Sequence, residues 1–276
     1  MVNKVTILGA IDLSWTDTKL ANDLGDNTTF KREIKKSTIY FIDGEIILRK
    51  QILNAKPFKN FKVEKEIIKD FYTMDIETIK QGNGKLAPYL ICGYSGHDYI
   101  TSFNNDPKGL FTFFIEQLLS KFKPGITIIY AHNLSAFDGI FIMRHLFDHG
   151  EVIPIIDDSR IISITVKVGN KKSGVKTIIF KDSYLLLPRP LRALCATFYI
   201  EMAKSYFPFK LMNIFYKGVF PQFEYWTGIS LKQYELLKLP FKTTFWDFQK
   251  EATKYCKLDC QVLHQILVKF NELIFK

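Results

Sequence analysis

From Asp70 onward the chain alternates short apolar runs with Gly, Pro and Asn breaks, whereas the residues before it keep no such rhythm. FYTMDIET, APYLICGYS and HDYITSF are β-rich runs bounded by turn residues and predict three successive strands. GLFTFFIEQLLSKF, starting at Gly109, places its apolar residues at helical spacing and predicts a helix ending near Pro124-Gly125. ITIIYAHN then reads as a buried strand. SAFDGIFIMRHLFDHG reads as a second helix, with Ser135 as its cap and Gly150 at its end. VIPIIDD, RIISITVKV and VKTIIFKDS are further strand-like runs. A largely helical tail follows, including LKQYELLKL and the long segment DFQKEATKYCKLDCQVLHQILVKFNELI. This order predicts an α/β domain, a mixed sheet with helices packed on it.

Residues 1–69 form an N-terminal extension of another character. The polar stretch DLGDNTTFKREIKK, from Asp23, leads into the alternating segment STIYFIDGEIILRKQIL, which predicts a hairpin turning at Asp43-Gly44. The basic run Lys56 to Lys69 lacks a period and reads as a linker into the main domain, residues 70–276.

Composition narrows the partners. Lys and Arg number 38 against 28 Asp and Glu, a formal charge of +10 that favours a polyanion. The 25 Phe and 13 Tyr put rings able to stack on unpaired bases among these cations, although most rings of a folded domain serve its core. Cys92, Cys195, Cys256 and Cys260 contain no CxxC pair, and Cys256 and Cys260 share a helix face as packing residues would. A reducing compartment suits them. No stretch approaches the roughly 20 uninterrupted apolar residues of a membrane span. Met1 to Ala10 lacks the features of a signal peptide, so no membrane partner is expected.

Three acidic features carry the candidate chemistry. Asp75 and Glu77 sit at i and i+2 on a predicted strand, so both side chains leave the same face and can grip one cation. The same alternation also describes a solvated strand face. Asp138 lies at the junction between a buried-looking strand and a helix, amid apolar neighbours. It is either an N-terminal charge favoured by the helix dipole or an acid justified by a metal. Tyr255 and Asp259 are four residues apart on the last helix and share its face, as an ordinary surface pair also would.

In this order, Asp75/Glu77, Asp138 and Tyr255/Asp259 resemble the Exo I, Exo II and Exo III motifs of the DEDD exonucleases, in the subclass with tyrosine four residues before the last aspartate. The resemblance implies a ribonuclease H-like fold and hydrolysis assisted by two divalent ions, Mg2+ or Mn2+. Asp75, Glu77 and Asp259 would hold the first ion and Asp75 and Asp138 the second, with Tyr255 orienting the attacking water.

The segments Asp182-Ser183-Tyr184-Leu185-Leu186-Leu187-Pro188, Pro190 to Leu194 and Lys217 to Pro221 resemble protein-primed family B DNA polymerases of phages and mitochondrial linear plasmids. That family implies an exonuclease-assisting role for Lys217, whose charge would offset that on the scissile phosphate. It also implies contacts to the single-stranded 3′ end from Thr78, His132, Asn133, Phe137, Phe141, Ser183 and Tyr184; the family usually has Leu at the position of Tyr184. The resemblance runs from about Phe71 to Lys276. The later polymerase motifs, SLYP-type and YxDTD-type, do not occur among these residues, so the chain alone is expected not to polymerise. It reads as a proofreading 3′→5′ exonuclease cut off before the polymerase domain. Its expected partners are a DNA 3′ end, the remainder of a polymerase chain and a terminal (priming) protein. The alternatives are a silent relic or binding module and a free-standing exonuclease. The resemblance and the Lys-, Ile-, Phe- and Asn-rich composition point to a mitochondrial setting, or otherwise the cytoplasm of a host.

Overall fold

In the computed structural model the described residues are 70–274, apart from 158–159, 171, 173 and 202–205, together with the backbone of three strands between residues 30 and 49. The chain divides into two units, residues 1–66 and 67–276. In the first, β1 (Phe30–Ile34), β2 (Ser37–Ile42) and β3 (Glu45–Arg49) form an antiparallel meander. Ile42 pairs with Glu45, as a hairpin over the expected turn requires; Asp43-Gly44 and the Lys56–Lys69 run lie outside the described residues. β1 occupies the end of a stretch that composition had marked only as polar; FKREI alternates, and each of its residues is paired with β2.

The second unit is built on a seven-stranded sheet. Its strands are β4 (Tyr72–Lys80), β5 (Leu86–Tyr94), β6 (Tyr99–Phe103), β7 (Gly125–Ala131), β8 (Glu151–Asp157), β9 (Arg160–Asn170) and β10 (Gly174–Asp182), in the order β6-β5-β4-β7-β10-β9-β8. β4, β7 and β10 run parallel, and every other neighbouring pair is antiparallel. The parallel pairing of β4 and β7 needs a crossover, supplied by α1 (Pro107–Lys121). Asp106 caps that helix by accepting from Lys108 N at 3.4 Å and Gly109 N at 2.8 Å, and Pro107 fits its first turn. Leu110, Phe111, Phe114, Ile115 and Leu118 then form one buried stripe. They pack with Met74, Ile76, Ile91, Ile129 and Phe180 into a core on one side of the sheet. This is the mixed sheet with flanking helices that the sequence leads one to expect.

The opposite side is covered by α5 (Phe248–Ile274). Ala252, Tyr255, Cys256, Asp259, Cys260 and Leu263 recur at three- and four-residue spacing on its buried face. Strand alternation divides β4 between the two layers: Met74 and Ile76 enter the first core, while the Thr73 hydroxyl donates to Cys260 O at 2.7 Å.

Two expectations need correction. The second helix, α2 (Asp138–Leu146), begins three residues after Ser135, whose hydroxyl is taken by Asp182, so Ser135 does not cap it. The tail is also less helical than expected. Between α3 (Leu191–Thr197) and α4 (Leu231–Lys238), whose Ser230/Gln233 capping box is intact, the described residues hold no α-helix. The intervening segment contributes a two-residue strand, β11 (Lys217–Gly218), paired with β12 (Trp246–Asp247). Phe207, Phe220 and Trp226 pack there with Trp246 and Phe248, so ring packing holds the segment in place of helical bonds. Among the described residues no helix is long and apolar enough to cross a membrane.

Candidate active site

β4 outruns its parallel neighbour. Tyr72, Thr73 and Met74 pair with β7, but the pairing stops at Ala131, and β4 continues for six more residues bonded to β5 alone. The edge left behind contains the backbone N–H of Ile76. Asp138 closes it: its Oδ1 accepts that N–H at 3.1 Å, replacing the ladder bond that β7 no longer supplies. One side chain thus brings the start of α2 against the strand that carries Asp75 and Glu77.

The remaining members arrive from the other layer. Asp75, Glu77 and Cys256 present ligand atoms that all lie within 4.8 Å of one another. Tyr255, one residue from Cys256, and Asp259, one turn further, are buried on the same helix face. Glu77, Asp138 and Asp259 are 8%, 2% and 4% exposed, a concentration of buried acid that requires compensation. Burial, with the nearby Asp75 carboxylate adding to it, pushes the Asp138 carboxyl well above the ordinary range, against the opposing pull of the Ile76 N–H. Burial also raises the Tyr255 phenol, and the negative charges of Asp259, Glu77 and Asp75 reinforce the effect, so the hydroxyl keeps its proton.

The hard oxygen donors of Asp75 and Glu77, with Asp138 near enough to Asp75 to feel its charge, suit a divalent cation, which would relieve the repulsion between Asp75 and Asp138. Cys256 does not join such a set. Burial raises its thiol well above the usual range, and its Sγ lies 3.5 Å from Asp75 O as a donor. Cys260 likewise donates to Cys92 O at 3.4 Å, so both cysteines pack as the helix spacing suggests.

The other sequence-selected residues fall into two groups. Asn133 is exposed at the end of β7 with φ of 73°, a left-handed conformation that asparagine tolerates. Phe137 and Phe141 meet edge to face, with centroids 5.2 Å apart, and Thr78 is half-buried on β4 just past the point opposite the β5 bulge. The His132 ring lies 3.0 Å from Ser183 Oγ through Nδ1 and 2.8 Å from Arg189 O through Nε2, so the carbonyl fixes Nε2 as a donor. Ser183 itself is buried, its hydroxyl also 3.1 Å from Ala131 O. Tyr184 is exposed and packs edge-on against His132 at 5.4 Å. Lys217 is not drawn into the acidic cluster; its ammonium is 2.9 Å from Asp247, its partner across the β11–β12 pair.

Residues 118–276 match the family described as DNA polymerase type B, organellar and viral. A protein named Probable DNA polymerase from Ascobolus immersus is 31% identical over an alignment that takes in 99% of this chain. The chain belongs to the organellar and viral type B DNA polymerases. A second Probable DNA polymerase, from Neurospora intermedia, is 30% identical over 91% of the chain. These alignments cover 24% and 29% of the two fungal proteins, so the chain spans about a quarter of the length of its relatives. A solved structure of phi29 DNA polymerase complexed with single-stranded DNA aligns with a TM-score of 0.48 at 18% identity, over 74% of this chain and 32% of that one.

In this member of the organellar and viral type B polymerases, two residues of the site escaped the sequence reading. Asp182, buried at the end of β10, accepts from Asn133 N at 3.0 Å, Tyr184 N at 2.8 Å, Ser135 N at 2.8 Å and the Ser135 hydroxyl. It ties down the 132–137 loop that delivers Asp138. Its only sequence signal was a carboxylate directly before Ser183 at a strand end. Tyr89 is the extra residue of the β5 bulge, opposite Glu77 and Thr78; burial raises its phenol, with the Glu77 charge as the next contribution. Nothing in its apolar strand marks it.

Proposed function

We propose that this chain is the 3′→5′ proofreading exonuclease portion of a protein-primed type B DNA polymerase, removing nucleotides from a single-stranded DNA 3′ end. The observation that supports this reading is the close approach of Asp75 and Glu77 on β4, with Asp138 bonded to the Ile76 N–H between them and the Tyr255/Asp259 face of α5 packed on the same strand. Asp75, Glu77 and Asp259 would hold one divalent ion, Mg2+ or Mn2+, and Asp75 with Asp138 the other. Such a pair supplies a water acidic enough to attack at neutral pH and neutralises charge on the departing 3′ oxygen.

The chain's own residues do the rest. Tyr255, held neutral, orients the attacking water through its hydroxyl. Phe137 and Phe141 offer ring faces to the terminal bases, with the Asn133 amide beside them. Ser183, being buried, acts on the strand through the His132 ring it positions, and Tyr184 and Thr78 line the approach. Lys217 would exchange Asp247 for the scissile phosphate when a strand enters. The terminal protein and the remainder of a polymerase chain are the proposed macromolecular partners. A mitochondrial setting is supported by the organellar and viral scope of the family.

The test is stepwise shortening of a single-stranded DNA labelled at its 5′ end, with Mg2+ or Mn2+, beside Asp75→Ala. Loss from the 3′ end that disappears in Asp75→Ala supports the assignment. Binding of the strand without cleavage by the wild-type chain overturns it in favour of a binding module.

A further inference from the structure

The face of α5 turned away from the acidic cleft has a second pattern. Lys250, Lys254, Lys257 and Gln261 recur at spacings of four, three and four. At 100° per residue they form one stripe, about 150° around the helix from Tyr255 and Asp259. Lys250 and Lys254 are exposed, and with Lys257, Thr253, Gln261 and Tyr99 of β6 they line one concave surface. The acids nearby are engaged: Asp247 with Lys217 at 2.9 Å, and Glu251 with Lys254 at 4.0 Å. Lys257 Nζ stands 5.0 Å over the Tyr99 ring, which itself stacks on Tyr94 at 4.5 Å. The Tyr99 hydroxyl donates to Gln261 Oε1 at 3.0 Å, so the end of that amide left for a ligand is its NH2 donor. Three cations, an amide donor and a threonine hydroxyl beside a stacked pair of rings match a phosphodiester chain with its bases rather than an apolar surface.

We propose that this face of α5 binds the phosphate backbone of a nucleic-acid strand, at a site separate from the carboxylate cleft and independent of cleavage there. A strand could then be held along the back of the helix while its end, or another strand, occupies the front.

The experiment measures anisotropy of a fluorescent single-stranded DNA with the full chain in EDTA, across a series of KCl concentrations. The triple variant Lys250→Gln/Lys254→Gln/Lys257→Gln is compared with a control triple at exposed lysines elsewhere, Lys85→Gln/Lys123→Gln/Lys232→Gln. Loss of three phosphate contacts should lower the log-log salt slope by about 2 and the affinity about a hundredfold at 0.1 M salt. The corresponding triple Lys→Arg variant should keep both. Affinity and slope unchanged in the glutamine triple overturn the proposal and leave the face to a protein partner, as does an equal loss in the control triple. Because EDTA removes the metal, no cleavage enters the measurement, so failure of the nuclease reading would leave this result intact.

Discussion

Replacing Asp182 by asparagine should destabilise the second unit by about 3–4 kcal/mol while changing hardly any volume. The carboxylate has both oxygens committed: Oδ1 to the backbone N–H groups of Asn133 and Tyr184, Oδ2 to the Ser135 N–H and hydroxyl. Asparagine offers one acceptor oxygen. In its better orientation it keeps Asn133 and Tyr184 but turns its NH2 toward the Ser135 N–H, two donors facing each other. A stranded buried N–H costs about 1–3 kcal/mol, and the loss of charge assistance in the surviving bonds adds about 1–2 kcal/mol. Ser135→Ala removes only the hydroxyl donor and should cost about 1 kcal/mol. Urea denaturation followed by fluorescence should show a lower midpoint for Asp182→Asn with an unchanged m-value. A loss below about 1 kcal/mol, or one equal to that of Ser135→Ala, would refute the argument that this carboxylate holds the 132–137 loop.

Under the proposed function, Tyr255→Phe should keep the fold and reduce the rate of strand shortening about ten- to a hundredfold, less than the thousandfold or more expected of Asp259→Ala, in single-turnover assays on the same strand. Gly139→Ala places a Cβ 2.7 Å from the Leu134 carbonyl oxygen, a backbone atom that cannot swing away. Its thermal midpoint should fall by an amount equivalent to about 2 kcal/mol of overpacking. Asp247 is held below the usual carboxylate range, first by its bond to Lys217. Its contribution to stability is therefore present above the unfolded carboxyl's titration and lost as pH falls through the depressed folded value. With Lys217 largely exposed, that contribution is screened to under about 1 kcal/mol. Asp247→Asn should lower the midpoint slightly at pH 7 and not at all at pH 2.

The layered sheet was legible because β4 and β5 are short apolar runs bounded by turn residues, and α1 and α5 carry apolar stripes at helical spacing that need a sheet to cover them. Asp75 and Glu77 could be assigned to one face from strand alternation, and Tyr255 and Asp259 from helix spacing, without tertiary information. Asp138 was visible only as an anomaly, since its hydrogen bond to Ile76 depends on where β7 stops, and pairing length is not written in either strand. Ser135 looked like a cap because serine before an apolar run usually is one; Asp182, 47 residues away, competes for its hydroxyl. The stretch between α3 and α4 was misjudged because its aromatic residues take their conformation from rings distant in sequence, such as Trp246 and Phe248.

The early end of β7 has a consequence for how such a domain would lose its activity over generations. At residue 138 one atom does the work of architecture and another remains for chemistry, so an asparagine there could still accept the Ile76 N–H while no longer offering a charge. Selection for folding would pass that change and selection for cleavage would not. Asp182 allows no such separation, because all its roles are architectural. A lineage that abandoned proofreading but kept this domain as scaffold would therefore be expected to change at 138, 75 or 259 and to stay fixed at 182.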